Sequence, residues 1–285
     1  MGNADSTAIQ SNYQRLLFNT TDDISVVGNW TKLRQLSVGM DKVCGITPDL
    51  STLCRSTKIA NDPWKDVLGG IKAFSGIAVD SVNNSTRGCA MSSGSPSVYC
   101  TEDLGTKNWN LKPTPFPLQQ FDISENSICG IDSKYKLHCS TILPNPDKTQ
   151  GNWTLQTLEK TNGTLNTTTG PSSFHQVSLS GKAACSLWNG VVYFTKELNN
   201  NGTNWTVLNS TSKFTQIDFT GDLVCGIDTT SAASCRQTGA NSTWTTYGSG
   251  LSSVAIQKTG NSYAAIVIDK KQFVAHGNLV LPNKQ

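Results

Sequence analysis

The chain has 285 residues, a formal net charge of +3 and only 15% charged residues. Its lysines and arginines are scattered singly, with Lys270-Lys271 the one doublet, which excludes the basic stripe of a nucleic-acid binder. No apolar run approaches the ~20 residues that a membrane-spanning helix needs, so no transmembrane segment is expected. Residues 1–26 read as an N-terminal arm. Met1 to Gln10 is polar, carries no hydrophobic signal-peptide core, and opens on MGNADS, which fits the short and common myristoylation pattern.

From residue 27 onward one unit is written six times. It opens with an apolar-x-x-apolar-x-apolar run that ends in strand-like alternation: Leu33/Leu36/Val38, Phe74/Ile77/Val79, Leu118/Phe121/Ile123, Phe174/Val177/Leu179, Phe214/Ile217/Phe219 and Leu251/Val254/Ile256. A short polar insert follows, then a second strand. There Cys44-Gly45-Ile46, Cys89-Ala90-Met91, Cys129-Gly130-Ile131, Cys185-Ser186-Leu187 and Cys225-Gly226-Ile227 share one position, with Ile266-Val267-Ile268 as the last copy. A third strand returns antiparallel to it. A tryptophan marks each boundary, at Trp30, Trp64, Trp109, Trp153, Trp205 and Trp244, and polar-apolar alternation after it reads as a fourth strand.

Six repeats in register, none able to bury both faces alone, argue for one closed array. The first five units end on their own Trp strand, whereas the sixth lacks one and Trp30 has no preceding three. A ring resolves both, because radial repetition of four-stranded sheets leaves no long open edge. The expected fold is an all-β, six-bladed β-propeller of four-stranded antiparallel blades, closed by the N-terminal strand around Trp30. It forms a single domain, 27–285, with repeats at about 33–66, 74–111, 118–158, 174–209, 214–247 and 251–285, the last completed by 27–32. The rival fourth strand for the last unit is Leu279 to Leu281. Irregular stretches at 80–88, 162–173 and 199–202 read as surface insertions on a fixed scaffold.

The nine cysteines show no C-x-x-C ligand spacing, so no metal site and no cofactor is expected. They follow the repeat instead. If Ser133-Lys134-Tyr135 forms the hairpin tip, Asp132 faces Lys136, Ile131 faces Leu137 and Cys129 faces Cys139, close enough to bridge. By the same logic Cys44/Cys54, Cys89/Cys100 and Cys225/Cys235 pair. The alternative is buried thiols packing as small hydrophobes. In the fourth unit the tip tightens to Asn189-Gly190, which sets Cys185 opposite Phe194 and leaves it unpaired. In the sixth, Ile266 is expected to face Ala275. Disulfides imply an oxidising compartment. Eleven N-x-S/T sequons, at Asn19, Asn29, Asn83, Asn84, Asn152, Asn162, Asn166, Asn201, Asn204, Asn209 and Asn241, lean the same way, towards a secreted or surface-exposed glycoprotein.

Trp30-Thr-Lys-Leu33-Arg-Gln-Leu36-Ser-Val38-Gly39 followed by Val43-Cys44-Gly45-Ile46 resembles a tectonin-type repeat, and the similarity extends in weakened form over about 30–276. This chain departs from that family at the second strand, where cysteine replaces the family's tryptophan. The resemblance implies a lectin that binds glycans on microbial or cell surfaces through several repeat-derived sites, without catalysis.

No nucleophile elbow, P-loop, dinucleotide fingerprint, zinc-protease helix or EF-hand loop occurs. His138, His175 and His276 lie in different units with no carboxylate or serine at suggestive spacing. For binding, exposed aromatics matter more, because sugar C–H faces pack on them. The six repeat tryptophans read as structural. Trp188 breaks that pattern beside the tip Asn189-Gly190, Tyr135 occupies the corresponding tip of the third unit, and Tyr247 follows Trp244. Trp188, Asn189, Tyr135 and Tyr247 are therefore the candidate ligand contacts. The alternatives are a secreted protein-interaction propeller, and an enzyme with acidic residues gathered at the central channel.

Overall fold

Apolar residues at every second position, enriched in Val, Ile and Phe, give strands with one face to bury, and each strand pairs antiparallel with the next across a short turn. In the computed structural model the described residues are 25–26, 33, 35–39, 41–57, 62–68, 74–82, 85–92, 97–106, 108–125, 127–141, 153–156, 174–198, 205–208, 211–239, 241–269 and 274–279. The short strand β1 (Ser25–Val26) comes first in the chain. The first blade is β2 (Gln35–Val38), β3 (Lys42–Ile46), β4 (Thr52–Ser56) and β5 (Lys65–Asp66). The second is β6 (Phe74–Val82), β7 (Ser85–Ser92), β8 (Ser97–Thr101) and β9 (Asn110–Pro113). The third is β10 (Leu118–Ser124), β11 (Ser127–Asp132), β12 (Leu137–Thr141) and β13 (Thr154–Leu155).

The fourth blade contains β14 (Gln176–Ser180), β15 (Ala183–Trp188), β16 (Val191–Thr195) and β17 (Thr206–Leu208). The fifth contains β18 (Phe214–Thr220), β19 (Leu223–Asp228), β20 (Ala233–Gln237) and β21 (Thr245–Gly248). Five blades thus use four consecutive strands. The remaining sheet is composite: β22 (Leu251–Thr259), β23 (Ser262–Asp269) and β24 (Val274–Leu279), with β1 added along β24. The innermost strands β2, β6, β10, β14, β18 and β22 each touch the next, and β22 returns to β2. The chain is a β-propeller of four-stranded antiparallel blades.

Two expectations at the closure are corrected. The N-terminal strand that joins the composite sheet is not the one around Trp30 but β1, where Ser25 pairs with His276 and Val26 with Ala275. β1 therefore falls inside the stretch 1–26 read as an arm, and Trp30 lies outside the described residues. Reach explains the difference. Elsewhere the chain spends at least the nine residues from Trp244 to Ser253 in crossing from an outer strand to the next inner one, whereas Trp30 precedes Gln35 by five. At about 3.3 Å per residue, five residues cannot supply both an outer strand and the crossing. Leu279 ends the third strand of this sheet, so it does not start a fourth. The second correction is register: Ile266 pairs with His276 and Val267 with Ala275. The last hairpin keeps the turn length of the third, where Ile131 pairs with Leu137, and His276 takes the second cysteine position.

The core lies between sheets. Cys129, Ile131, Leu137 and Cys139 of the third blade pack on Phe174, Val177 and Leu179 of the fourth, and each other junction repeats the scheme. Four disulfides form in the expected pairs, Cys44–Cys54, Cys89–Cys100, Cys129–Cys139 and Cys225–Cys235, each facing that inter-blade layer. Cys185 is free, buried and opposite Phe194. The glycine after the cysteine answers a close approach: a Cβ at Gly130 would meet both Leu118 Cδ atoms at 2.7 Å. No described helix is long and apolar enough to cross a membrane.

Candidate functional site

Alternate residues of each innermost strand face the central channel and the next blade, and there the repeat is polar: Gln35-x-Ser37, Gln120-x-Asp122-x-Ser124, Gln176-x-Ser178-x-Ser180 and Gln216-x-Asp218-x-Thr220. These side chains zip neighbouring blades together. Gln120 donates to the Val177 carbonyl at 3.0 Å and accepts from the Val177 N–H at 2.9 Å. Gln176 does the same to Ile217 (2.7 and 2.8 Å) and Gln216 to Val254 (2.9 Å each). Two residues on, Ser37, Asp122, Ser178 and Asp218 accept the N–H groups of Val79, Leu179, Phe219 and Ile256. A third rung follows, where Ser124 and Ser180 accept from Gly181 and Gly221. Parallel inner strands lie too far apart for a backbone ladder, so these side chains satisfy the inward amides that would otherwise be orphaned.

Within the ring sits a cavity of ≈ 280 Å³, lined by all six inner strands and including Asp122 and Asp218. Both carboxyls are surrounded by protein although their surfaces reach the channel. Burial, and secondarily the Asp218 charge, lifts Asp122 well above the ordinary carboxylate value. Burial pushes Asp218 up to about 6, against the opposing pull of the Ile256 N–H and the Ser178 hydroxyl. Among the described residues no cluster of three His, Cys, Asp or Glu could hold a metal ion.

At one channel mouth the tips between second and third strands meet the starts of the next blade's inner strand. The carbonyls of Tyr135, Gly190 and Ser231 accept the N–H groups of Phe174, Phe214 and Leu251, at 2.7, 3.0 and 3.1 Å. Tyr135 and Asn189 both adopt positive φ, +60° and +48°, the left-handed conformation that a tight tip requires. Asp132 holds the first of these tips: its Oδ1 accepts the N–H groups of Lys134 and Lys136, at 2.8 and 2.9 Å. Its Oδ2 lies 3.0 Å from His138 Nε2. His138 therefore does have a carboxylate partner, brought to it by the hairpin and not by sequence proximity. Burial alone would raise the Asp132 carboxyl, but the Lys136 and Lys134 N–H groups and the His138 ring outweigh it and hold it below its ordinary value.

Three of the four expected contacts share this face. Tyr135 is 42% exposed and its ring meets His175 edge-on, with centroids 5.1 Å apart. His175 is itself exposed and donates its backbone N–H to Leu187 at 2.8 Å. Trp188 follows directly, half-buried beside Tyr193, and Asn189 is exposed. His175 thus stands between the third and fourth tips, a position that sequence spacing did not single out. Tyr247 is elsewhere: half-buried, it packs against the layer between the fifth blade and the composite sheet. The described repeat tryptophans pack against inter-blade layers, as Trp244 does on Phe214 with centroids 4.4 Å apart.

No family model matches the chain, and no curated protein matches it. Among solved structures, Hsv2 of Kluyvelomyces marxianus is similar at 7% identity and a TM-score of 0.50, over 84% of this chain and 89% of that one. A chain of the nidogen/laminin complex is similar at 11% identity and a TM-score of 0.51, over 71% of this chain and 75% of that one. At such identities the likeness is one of fold alone.

Proposed function

We propose that the protein is a secreted, non-catalytic lectin whose main sugar contact lies on the face formed by the third- and fourth-blade tips. The observation that carries this reading is the placement of Tyr135. Its ring is presented to solvent from a tip fixed by Asp132, while His175, Asn189 and Trp188 supply polar and aromatic neighbours on the same face. A sugar stacks its C–H face on such a ring and hydrogen-bonds at its edges. A ring closed at six blades, with the composite sheet as the sixth, would keep these tips rigid and so lower the entropic cost of binding. The four disulfides suit an extracellular setting.

A glycan array tests the reading, with Tyr135→Gly as the matched control because glycine keeps the positive φ while removing the ring. Retention of a defined glycan class by the wild type, reduced by up to about tenfold by the substitution with the melting temperature unchanged, is expected; one lost stacking contact accounts for that factor. No retention on the array would overturn the lectin reading. A second reading, a protein-interaction propeller, is favoured by the outer strands, where Leu111, Leu155 and Val207 are 53%, 48% and 42% exposed two residues after their tryptophans. Capture of a protein partner insensitive to sugars and lost on Leu155→Ser would establish it instead.

A further inference from the structure

The zipper has a gap. Ile217 receives two carboxamides: Gln176 of the preceding blade binds its N–H and carbonyl, and its neighbour Gln216 donates to the same carbonyl at 3.0 Å. Phe121 is the equivalent residue of the third blade. Its carbonyl accepts from its own neighbour Gln120 at 3.0 Å, but the preceding blade offers Gly76 where four of the other innermost strands carry glutamine and β22 carries Ser253. The rung below differs as well. Ala78 replaces the usual Ser or Asp, so the Ile123 N–H turns to Asp122 Oδ1 at 2.9 Å. Only the outermost rung persists, with Asp80 accepting the Glu125 N–H at 2.6 Å.

Where that side chain is missing, a second-strand residue reaches the channel wall. Met91 sits on a second strand, paired with Gly76, yet it lines the channel cavity together with Gly76, Ile77 and Phe121. We infer that this seam between the second and third blades is a subsite for a neutral primary carboxamide, the side chain of glutamine or asparagine, entering from the channel to take the place that Gln176 occupies on Ile217. A primary amide offers an acceptor and a donor on one edge, which is the pairing that Phe121 presents. Its methylenes would lie on Met91 and the Phe121 ring. A carboxylate lacks the donor and would face Asp122, and a guanidinium lacks the acceptor. This subsite does not rest on the lectin reading, although His175 of the sugar face lines the same cavity.

The test is amide chemical-shift titration of the full chain with acetamide and L-glutamine, against N,N-dimethylacetamide and L-glutamate as controls. Saturable shifts of the Phe121 amide with the first two are expected at the tens to hundreds of millimolar that a pair of hydrogen bonds supports, several-fold weaker with N,N-dimethylacetamide and absent with glutamate. In Gly76→Gln the built-in carboxamide should shift the Phe121 amide without ligand and remove the response. A Cβ there meets Phe121 Cε1 at 3.2 Å and Met91 Cε at 3.4 Å, so both ends must give slightly; Gly76→Ala, with the same Cβ and no amide, should keep the response. No shift at Phe121 with either amide, an equal response to N,N-dimethylacetamide, or a folded Gly76→Gln that responds like the wild type would each overturn the subsite. Should Gly76→Gln fail to fold, the ligand series on the wild type decides alone.

Discussion

Asp218 shows how one side chain can join two blades at an electrostatic cost. It accepts the Ile256 N–H at 2.7 Å and the Ser178 hydroxyl at 3.0 Å, yet burial raises its carboxyl to about 6. A carboxyl whose value is higher folded than unfolded holds its proton more tightly in the fold. Its contribution to stability is full below about 4, the unfolded value, and is lost as pH rises through about 6. The Asp218 contribution to the melting temperature should therefore fall between pH 4 and pH 6, and Asp122, which burial also raises, adds a loss of the same sign. Asp218→Asn, which can keep its oxygen on Ile256 and donate to Ser178, should flatten that slope in a thermal-melt series across pH; an unchanged slope would show that the carboxyl is not the source. Cys185 makes a second claim at this scale. Denatured, unreduced protein should titrate as one thiol, since eight of the nine cysteines are bridged.

At the scale of elements, two devices hold the blades: bridges within a sheet and carboxamides between sheets. Each bridge closes a short loop, as between Cys129 and Cys139, ten residues apart, which the chain-entropy view values at roughly 2–3 kcal/mol. The carboxamides act on the folded state. Gln176→Ala leaves the Ile217 N–H without its acceptor and removes one of two donors from its carbonyl, at a cost of about 1–3 kcal/mol for the buried group left unsatisfied. Chemical denaturation should show that loss, and Gln176→Glu, which keeps the acceptor and discards the donor, should fall between. Equal stability of Gln176→Ala and wild type would mean that solvent replaces the clamp freely.

The same scale shows what the amino-acid sequence reveals. Sheet membership, four cysteine pairs and the solitary Cys185 are legible because hairpin pairing is local: opposing residues lie about ten apart and the turn fixes their register. The zipper is written just as plainly, as Gln-x-Ser or Gln-x-Asp in four units. It reads only as a wet strand face until the next blade's backbone, some forty residues on, is set beside it. His175 escapes notice for the same reason, since Tyr135 reaches it from another blade. Closure is hidden differently: β1 has two residues, too few for any periodicity, and the conspicuous Trp30 attracts the assignment.

For the whole molecule, a ring of sheets gives a stiff frame with two unlike regions. The tips of the third and fourth blades present aromatic and amide groups outward, while at the seam between the second and third the glutamine of the inter-blade zipper is replaced by Gly76. The proposed lectin reading rests on the first: an exposed tyrosine on a rigid rim would stack on a sugar, and binding would gain strength where several sites engage one decorated surface. The most direct measurement is a map of amide chemical-shift changes on titrating the glycan class that the array identifies. The account predicts changes concentrated at Tyr135, His175 and Trp188 to Gly190; changes centred instead on the outer strands at Leu111, Leu155 and Val207 would contradict it.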